Sequence, residues 1–545
     1  MKKIVYAISV LATSMSVAQN ITFPLIWKSQ SDNKTNFLTT CASDGSEVVA
    51  TTKKEICVLN GNTGAKVWSG SLESIAGLKD SDYQRYMEDA GVIFVFNKKS
   101  GADQLVCIDT KTGKPLWSTE KYQGISGGNL IYLPELSAFG IYLKEGLDMI
   151  DARTGNLKWS VSRYQGAIAK SMYFTDTKEL LLLNYRPASL QSLFKGFKNQ
   201  LMLINAVTGE VKWETEYKGI VESKIVTKDP VVSWQLAKGK DKILLQLNGL
   251  QVFDLNSGKP IWNVELNMSL DKGSLLFNNQ TQIYNAVADP LIVDEAVYIV
   301  EFSPKGKKKI LKKYELSTGK ELWTNEEIDS RKALIPELVV VNGMVIAQIG
   351  GFVNRQSIKE NNGVTTSESK WEWEGPYGLK AFDASTGKML WESEKFKGRI
   401  TNLLSDGSSI YVASEELLYK LDAKTGTSGY EIKLKPAKVG EPRQLIQFDG
   451  KLAMLSEDGV AAYKNQDGSL AYAVKIDNLK EDYELKGNTY FLKSKQLMAF
   501  DFNAGKITGA YEFDGDIKWK LTKDGKFIYL FKKGEGEISK YQTGN

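Results

Sequence analysis

Eight times along this chain the same nine-residue phrase returns: Asp or Asn (once Glu), two variable residues, Thr or Ser, Gly, three variable residues, and an aromatic residue. It reads NGNTGAKVW from Asn60 to Trp68, DTKTGKPLW from Asp109 to Trp117, DARTGNLKW from Asp151 to Trp159, NAVTGEVKW from Asn205 to Trp213 and DLNSGKPIW from Asp254 to Trp262. ELSTGKELW (Glu315 to Trp323), DASTGKMLW (Asp383 to Trp391) and DAKTGTSGY (Asp422 to Tyr430) continue it, and two weaker copies follow around Asn465 (NQDGSLAY) and Asp501 (DFNAGKITG). This spacing dictates a tight hairpin. The first side chain caps the turn through its oxygen, and Gly supplies the positive φ that other residues resist. An antiparallel strand must therefore enter and leave every copy, with the aromatic residue at a fixed place on the outgoing one.

Between one Trp and the next Asp there is room for two further strands, as between Arg399 and Asp422, where ITNLL, SIYVAS and LLYKLD are separated by turn residues. Each repeat is thus a four-stranded antiparallel unit, recurring about every 49 residues, a period that suits propeller blades. Helical solenoids need long stretches of 3.6-residue periodicity, and the sequence has none. The expected fold is all-β: a β-propeller of about 10–11 four-stranded blades. The ends complement each other. Residues 538–545 copy a third strand and its Thr-Gly turn but stop before the Trp, while Phe23-Pro-Leu-Ile-Trp27 reads as an orphan fourth strand. Pairing the two closes a ring and leaves no terminal edge. One large ring over 19–545 is the favoured reading, with two smaller rings as the alternative.

The Asp-x-x-Thr-Gly-x-x-x-Trp hairpin resembles the tryptophan-docking repeat of pyrroloquinoline-quinone (PQQ) propellers, over nearly the whole chain. That resemblance implies that Trp27, Trp68, Trp117, Trp159, Trp213, Trp262, Trp323 and Trp391 are structural, each packing between neighbouring blades. The superfamily holds quinone-dependent dehydrogenases and also non-enzymatic members, among them a scaffold of outer-membrane protein assembly. Its alcohol dehydrogenases carry two adjacent cysteines over the cofactor and calcium bound by Asp, Glu and Asn, and its sugar dehydrogenases use a histidine base. Here the three cysteines are isolated and there is no histidine at all. Without His there is no Ser-His-Asp or Cys-His nucleophile, no His-bound zinc, iron or copper, and no haem His ligand. Asp514-Gly515-Asp516 has the flavour of a calcium loop but lacks its remaining ligands. The resemblance is therefore to the non-enzymatic branch, resembling the outer-membrane assembly scaffold type, with no catalytic residues, no metal and no cofactor expected.

Met1-Lys2-Lys3, an apolar run from Ile4 to Leu11 and the triplet Ser16-Val17-Ala18 have the layout of a secretory signal peptide over 1–18, cleaved after Ala18. A periplasmic or secreted protein is expected, and no later segment is apolar enough for a membrane span. Without Lys2 and Lys3 the charge is 68 basic against 65 acidic residues, which argues against a nucleic-acid partner. Cys41, Cys57 and Cys107 form no metal pair. The repeat puts Cys41 and Cys57 on the first and third strands of one sheet, about 10 Å apart and too far for a disulfide. They read as buried apolar thiols.

In such a propeller the Thr-Gly turns lie on one face. Five longer segments, 69–90, 186–200, 268–290, 303–310 and 352–378, map to the opposite face, where insertions on a rigid scaffold acquire partners. Within them, LQSLFKGF places Leu190, Leu193, Phe194 and Phe197 at helical spacing. Trp371-Glu-Trp373-Glu-Gly-Pro-Tyr377 has no place in the docking pattern, and alternation sets both Trp residues on one face of an extended segment. Phe194, Phe197, Trp371, Trp373 and Tyr377 are thus the candidate partner-binding residues. The function expected is a non-catalytic scaffold for a protein partner in the cell envelope. A PQQ-dependent dehydrogenase and a glycan-binding propeller are the alternatives.

Overall fold

A computed structural model describes residues 22–31, 38–98, 104–122, 130–143, 145–185, 198–218, 233–237, 241–247, 249–266, 270–274, 279–284, 287–303, 308–326, 328, 334–361, 364–479, 483–486, 489–493, 496–512, 517–532 and 534–543. It contains eleven antiparallel sheets. Ten are four-stranded blades: blade 1 (39–71), 2 (83–119), 3 (130–165), 4 (167–215), 5 (233–264), 6 (291–325), 8 (404–433), 9 (442–475), 10 (483–512) and 11 (517–542 with Leu25–Gln30). Blade 7 (337–392) is the core of a six-stranded sheet.

The middle strands of the blades are continuous apolar runs, such as Leu180 to Leu183, because alternate side chains serve two different blade interfaces. Leu180 and Leu182 pack towards blade 3, and Leu181 and Leu183 towards blade 5. A strand covered on both faces has no solvent side to alternate with. Eleven apolar clusters result, one between each pair of neighbouring blades. Eleven blades in an open row would have only ten such interfaces. The eleventh joins Trp27, Tyr529, Phe531 and Ile538 of blade 11 to Cys41, Val48 and Cys57 of blade 1, so the ring is closed.

Closure is made by the two ends of the chain. Leu25–Gln30 pairs antiparallel with Glu537–Gln542, setting Trp27 opposite Lys540. Across the seam Lys540 Nζ donates to the Gly61 carbonyl at 2.9 Å, and the Tyr529 hydroxyl donates to the carbonyls of Gly45 and Gly61. Cys41, Cys57 and Cys107 are buried and unbridged, and burial pushes the thiols of Cys41 and Cys107 up to about 12.

In all eight regular copies of the phrase the turn closes the same way, with the Gly N–H donating to the carbonyl of the first residue. At Asp109 the Oδ1 atom accepts from the backbone N–H groups of Lys111 and Thr112 and from the Thr112 hydroxyl, and Gly113 lies at φ +70°. The indole of the preceding blade then lies on that glycine. Trp27, Trp68, Trp117, Trp159, Trp213, Trp262, Trp323 and Trp391 donate their N–H to the carbonyls of Gly61, Thr110, Ala152, Ala206, Leu255, Leu316, Ala384 and Ala423, at 2.5 to 3.2 Å. A Cβ on the glycine beneath each ring would meet it at 2.3 to 2.7 Å. Tyr472 takes the same place in blade 9, its hydroxyl bonding the Phe502 carbonyl. In blade 10 the place falls to Gly509, which offers no ring. Phe23 supplies one from the N-terminal segment, held by a bond from its N–H to the Ala510 carbonyl.

Candidate partner-binding face

Two of the sequence insertions meet to build one structure. Strands Met344–Asn361 and Val364–Asp383 begin as the second and third strands of blade 7 and run on past it. The hairpin Leu270–Ser274 and Asn279–Tyr284, from the connection between blades 5 and 6, crosses to pair with the first of them, from Asn279 opposite Lys359 to Tyr284 opposite Asn354. The product is a four-stranded limb standing about 34 Å beyond the blade over 351–361. It forms because 364–374 carries Val, Thr and Trp residues that favour strands and because Asn361 faces Val364 across two residues, Asn362-Gly363, which favour a tight hairpin.

The junction of limb and blade has its own chemistry. Gly350 sits at φ +76°, donates its N–H to the Leu334 carbonyl, and leaves no room for a Cβ, which would meet the Pro376 carbonyl at 2.3 Å. Opposite it the register jumps from Ile349–Gly378 to Gly351–Glu374, so Gly375, Pro376 and Tyr377 bulge out. A proline has no donor for the ladder and is at home in such a bulge. The strand continues on both sides of Gly375-Pro376.

The candidate residues fall in different places. Trp373 is half-buried under the Arg399 guanidinium, 5.7 Å from its ring centre. Arg399 Nη2 reaches Glu441 at 2.7 Å and Glu457 at 2.8 Å, tying the limb's base to blade 9. Tyr377 packs against the apolar cluster between blades 7 and 8, accepts a bond from the Phe396 N–H at its carbonyl, and has its phenol raised by burial. The Trp371 backbone lies opposite Asn354, on the same sheet face as Trp373 opposite Phe352. Phe194 and Phe197 lie outside the described residues. Sequence reasoning missed Arg399, which stands alone between Gly398 and Ile400 with no pattern around it. It missed the limb hairpin too, because LDKGS and NQTQIY carry no docking phrase.

A concavity of about 430 Å³ opens among the innermost strands of blades 11, 1, 2 and 3, with Thr40, Arg85, Tyr86, Glu88, Tyr132 and Lys520 on its wall. Its charges serve neighbours: Lys520 Nζ bonds Thr40 Oγ1 and the Cys41 carbonyl, Tyr86 bonds Glu47, and Glu88 accepts from the Ser43 N–H. Among the described residues no group of three His, Cys, Asp or Glu is placed to hold a metal ion. No helix among those residues is long and apolar enough to cross a membrane.

Eleven blades, indole docking onto the next blade's Thr-Gly turn and a seam of the two termini define a closed propeller of the PQQ-repeat class. The chain matches the family model described as outer membrane protein assembly factor BamB over residues 84–175, 195–348 and 378–526, and it belongs to that family. The break between 348 and 378 falls on the junction and the outer limb. Among curated protein sequences none matches. Similar solved structures include BamB from Moraxella catarrhalis, 14% identical over 81% of this chain and 99% of that one with a TM-score of 0.29. The computationally designed Ika8 protein is 11% identical over 71% and 96%, with a TM-score of 0.33. The dihydro-heme d1 dehydrogenase NirN in complex with DHE is 12% identical over 73% and 75%, with a TM-score of 0.31. Likenesses this distant carry no functional weight.

Proposed function

We propose that this protein is exported under the signal at 1–18 and serves the cell envelope as a non-catalytic scaffold, holding protein partners on the face that carries the limb. The observation behind this reading is the pairing of two separate insertions, 270–284 and 351–374, into one sheet on a rigid ring. A closed propeller with indole-locked interfaces has no evident need of that sheet for its own stability, and family membership agrees with a scaffold role. The test is affinity capture from the native envelope with identification by mass spectrometry, comparing the mature protein with a variant in which 352–374 is replaced by a short turn. Loss of specific partners in the variant is expected; recovery of the same set by both would end the proposal, as would dye reduction by purified protein given PQQ and calcium.

A glycan-binding role has one observation in its favour: register places Phe352, Trp371 and Trp373 on one face of the limb, with Tyr284 on the same face next to Asn354. Flat aromatic faces suit sugar rings. A glycan array with no signal dependent on Trp371 and Trp373 excludes it.

A further inference from the structure

The limb ends in an edge that the ring leaves open. Strand Val364–Asp383 has Met344–Asn361 along one side, but on its other side Met389–Glu392 reaches only Lys380 to Phe382. From Val364 to Trp371 no described strand lies against that outer side. The backbone groups along such an edge are a template for another strand. Asn361 and Val364 close a two-residue hairpin and are therefore a hydrogen-bonded couple, so alternation turns the backbone groups of Thr365, Ser367, Ser369 and Trp371 outward.

Symmetry decides which strand fits. When two identical strands pair antiparallel, the pairing is centred on one place, and each residue faces the one equally far beyond it. The straight run from the hairpin end to the bulge is 364–374, and its midpoint is Ser369. Centred there, Glu368 of each copy stands across from Lys370 of the other, and Ser367 across from Trp371. Ser369 is also one of the residues whose backbone groups turn outward, as a central hydrogen-bonded couple requires. Position 364 then falls opposite 374, so each limb's tip reaches the other limb's base without running into its ring. Shifting the centre by one residue sets Lys370 against Lys370, or Glu368 against Glu368, and like charges directly opposite are destabilising. Lys370 is exposed on the limb, where it also meets Glu372 at 3.0 Å.

We infer that the limb is a self-association edge: two copies of this chain join by antiparallel pairing of 364–374 about Ser369. The inference is independent of which partner the ring face holds, and the edge lies outside the residues matched by the family.

Sedimentation velocity of the purified mature protein over a wide concentration series tests it. The wild type should dimerise. Glu368→Lys and Lys370→Glu should each weaken the dimer about tenfold or more, because each sets two like-charge pairs across the seam. The double swap E368K/K370E should restore it, and an equimolar mixture of the two single variants should form a mixed dimer. Ser369→Pro removes an outward-facing N–H, so it should abolish the dimer while leaving the circular dichroism spectrum unchanged. A wild type that stays monomeric throughout overturns the inference, including one that binds an envelope protein through this edge. A dimer indifferent to both charge reversals and to Ser369→Pro overturns it equally.

Discussion

Two glycines with nearly the same φ allow the docking of an indole to be measured apart from the turn that carries it. Gly258 lies at φ +69° beneath Trp213, and a Cβ there would meet the indole Cε3 at 2.3 Å and Cδ2 at 2.4 Å. Gly343 lies at φ +74° with nothing within 4 Å of the place a Cβ would take. Gly→Ala at either position pays the left-handed strain of an L-residue, about 1–2 kcal/mol. At Gly258 the methyl must also displace a packed ring, which adds about 1–3 kcal/mol of overpacking. The variant G258A should therefore be about 2–5 kcal/mol less stable than wild type, and G343A about 1–2 kcal/mol. Urea unfolding followed by circular dichroism supplies the two values, and hydrogen exchange across blades 4 and 5 locates the loss. A double-mutant cycle completes the case. Trp213→Ala alone costs about 3–5 kcal/mol, but with the ring gone the alanine at 258 should cost no more than the one at 343. Equal losses for G258A and G343A, or strict additivity with Trp213→Ala, would refute the view that the glycine is required by the neighbouring blade as well as by its own turn.

Two further outcomes follow from the seam and from the turns. Phe23→Ala empties the place above Gly509 that no side chain of blade 10 fills, and should cost about 3–5 kcal/mol, read as a fall in the melting midpoint together with faster exchange in blades 10 and 11. Hydroxyl donors from Ser385 and Thr386 hold the Asp383 carboxyl down at about 2, below its value in the unfolded chain. A depressed folded value means stability that is fully present above the unfolded carboxylate range, near pH 4, and is lost as pH falls through about 2. Asp254 and Asp422 are lowered in the same way by Ser257 and Thr425. Asp383→Asn should lower stability at neutral pH and flatten part of the acid loss between about pH 4 and 2; a variant with the wild-type acid slope would show that Asp383 contributes none of it.

The ring was legible because one local rule repeats. Asp or Asn, Thr and Gly each do a job within five residues, so the turn declares itself without help from the rest of the chain, and the strands on either side follow. Blade number was harder, since the phrase fades where other residues take over its parts. In blade 9 the turn closes from Gly468 N–H to the Lys464 carbonyl, so the capping place is held by lysine and the aromatic place by Tyr472, one residue out of step with a reading that begins at Asn465. In blade 10 the aromatic place is empty and Phe23 fills it from more than 480 residues away. Phe23-Pro-Leu-Ile-Trp27 could be read as a strand in search of a sheet, but nothing local marks Phe23 as the ring missing from another blade.

The limb was half-legible for a related reason. An alternating Trp371-Glu-Trp373 segment announces an extended strand, yet the face it presents depends on register, and register here is set across distance. The strand that completes the limb from beyond blade 6, Asn279–Tyr284, pairs with Met344–Asn361 and has almost no apolar alternation, because in a sheet that runs on beyond its blade the backbone ladder carries the pairing. Arg399 shows the same dependence on tertiary placement. In sequence it is one cation among 70 basic residues, whereas in the fold it is sandwiched between Trp373 and two carboxylates of the neighbouring face. Deleting the limb removes the ring over Arg399 but leaves both glutamates, so the ion pairs should persist and the propeller should stay closed. That separability is what allows the limb's role to be tested without unfolding the scaffold that carries it.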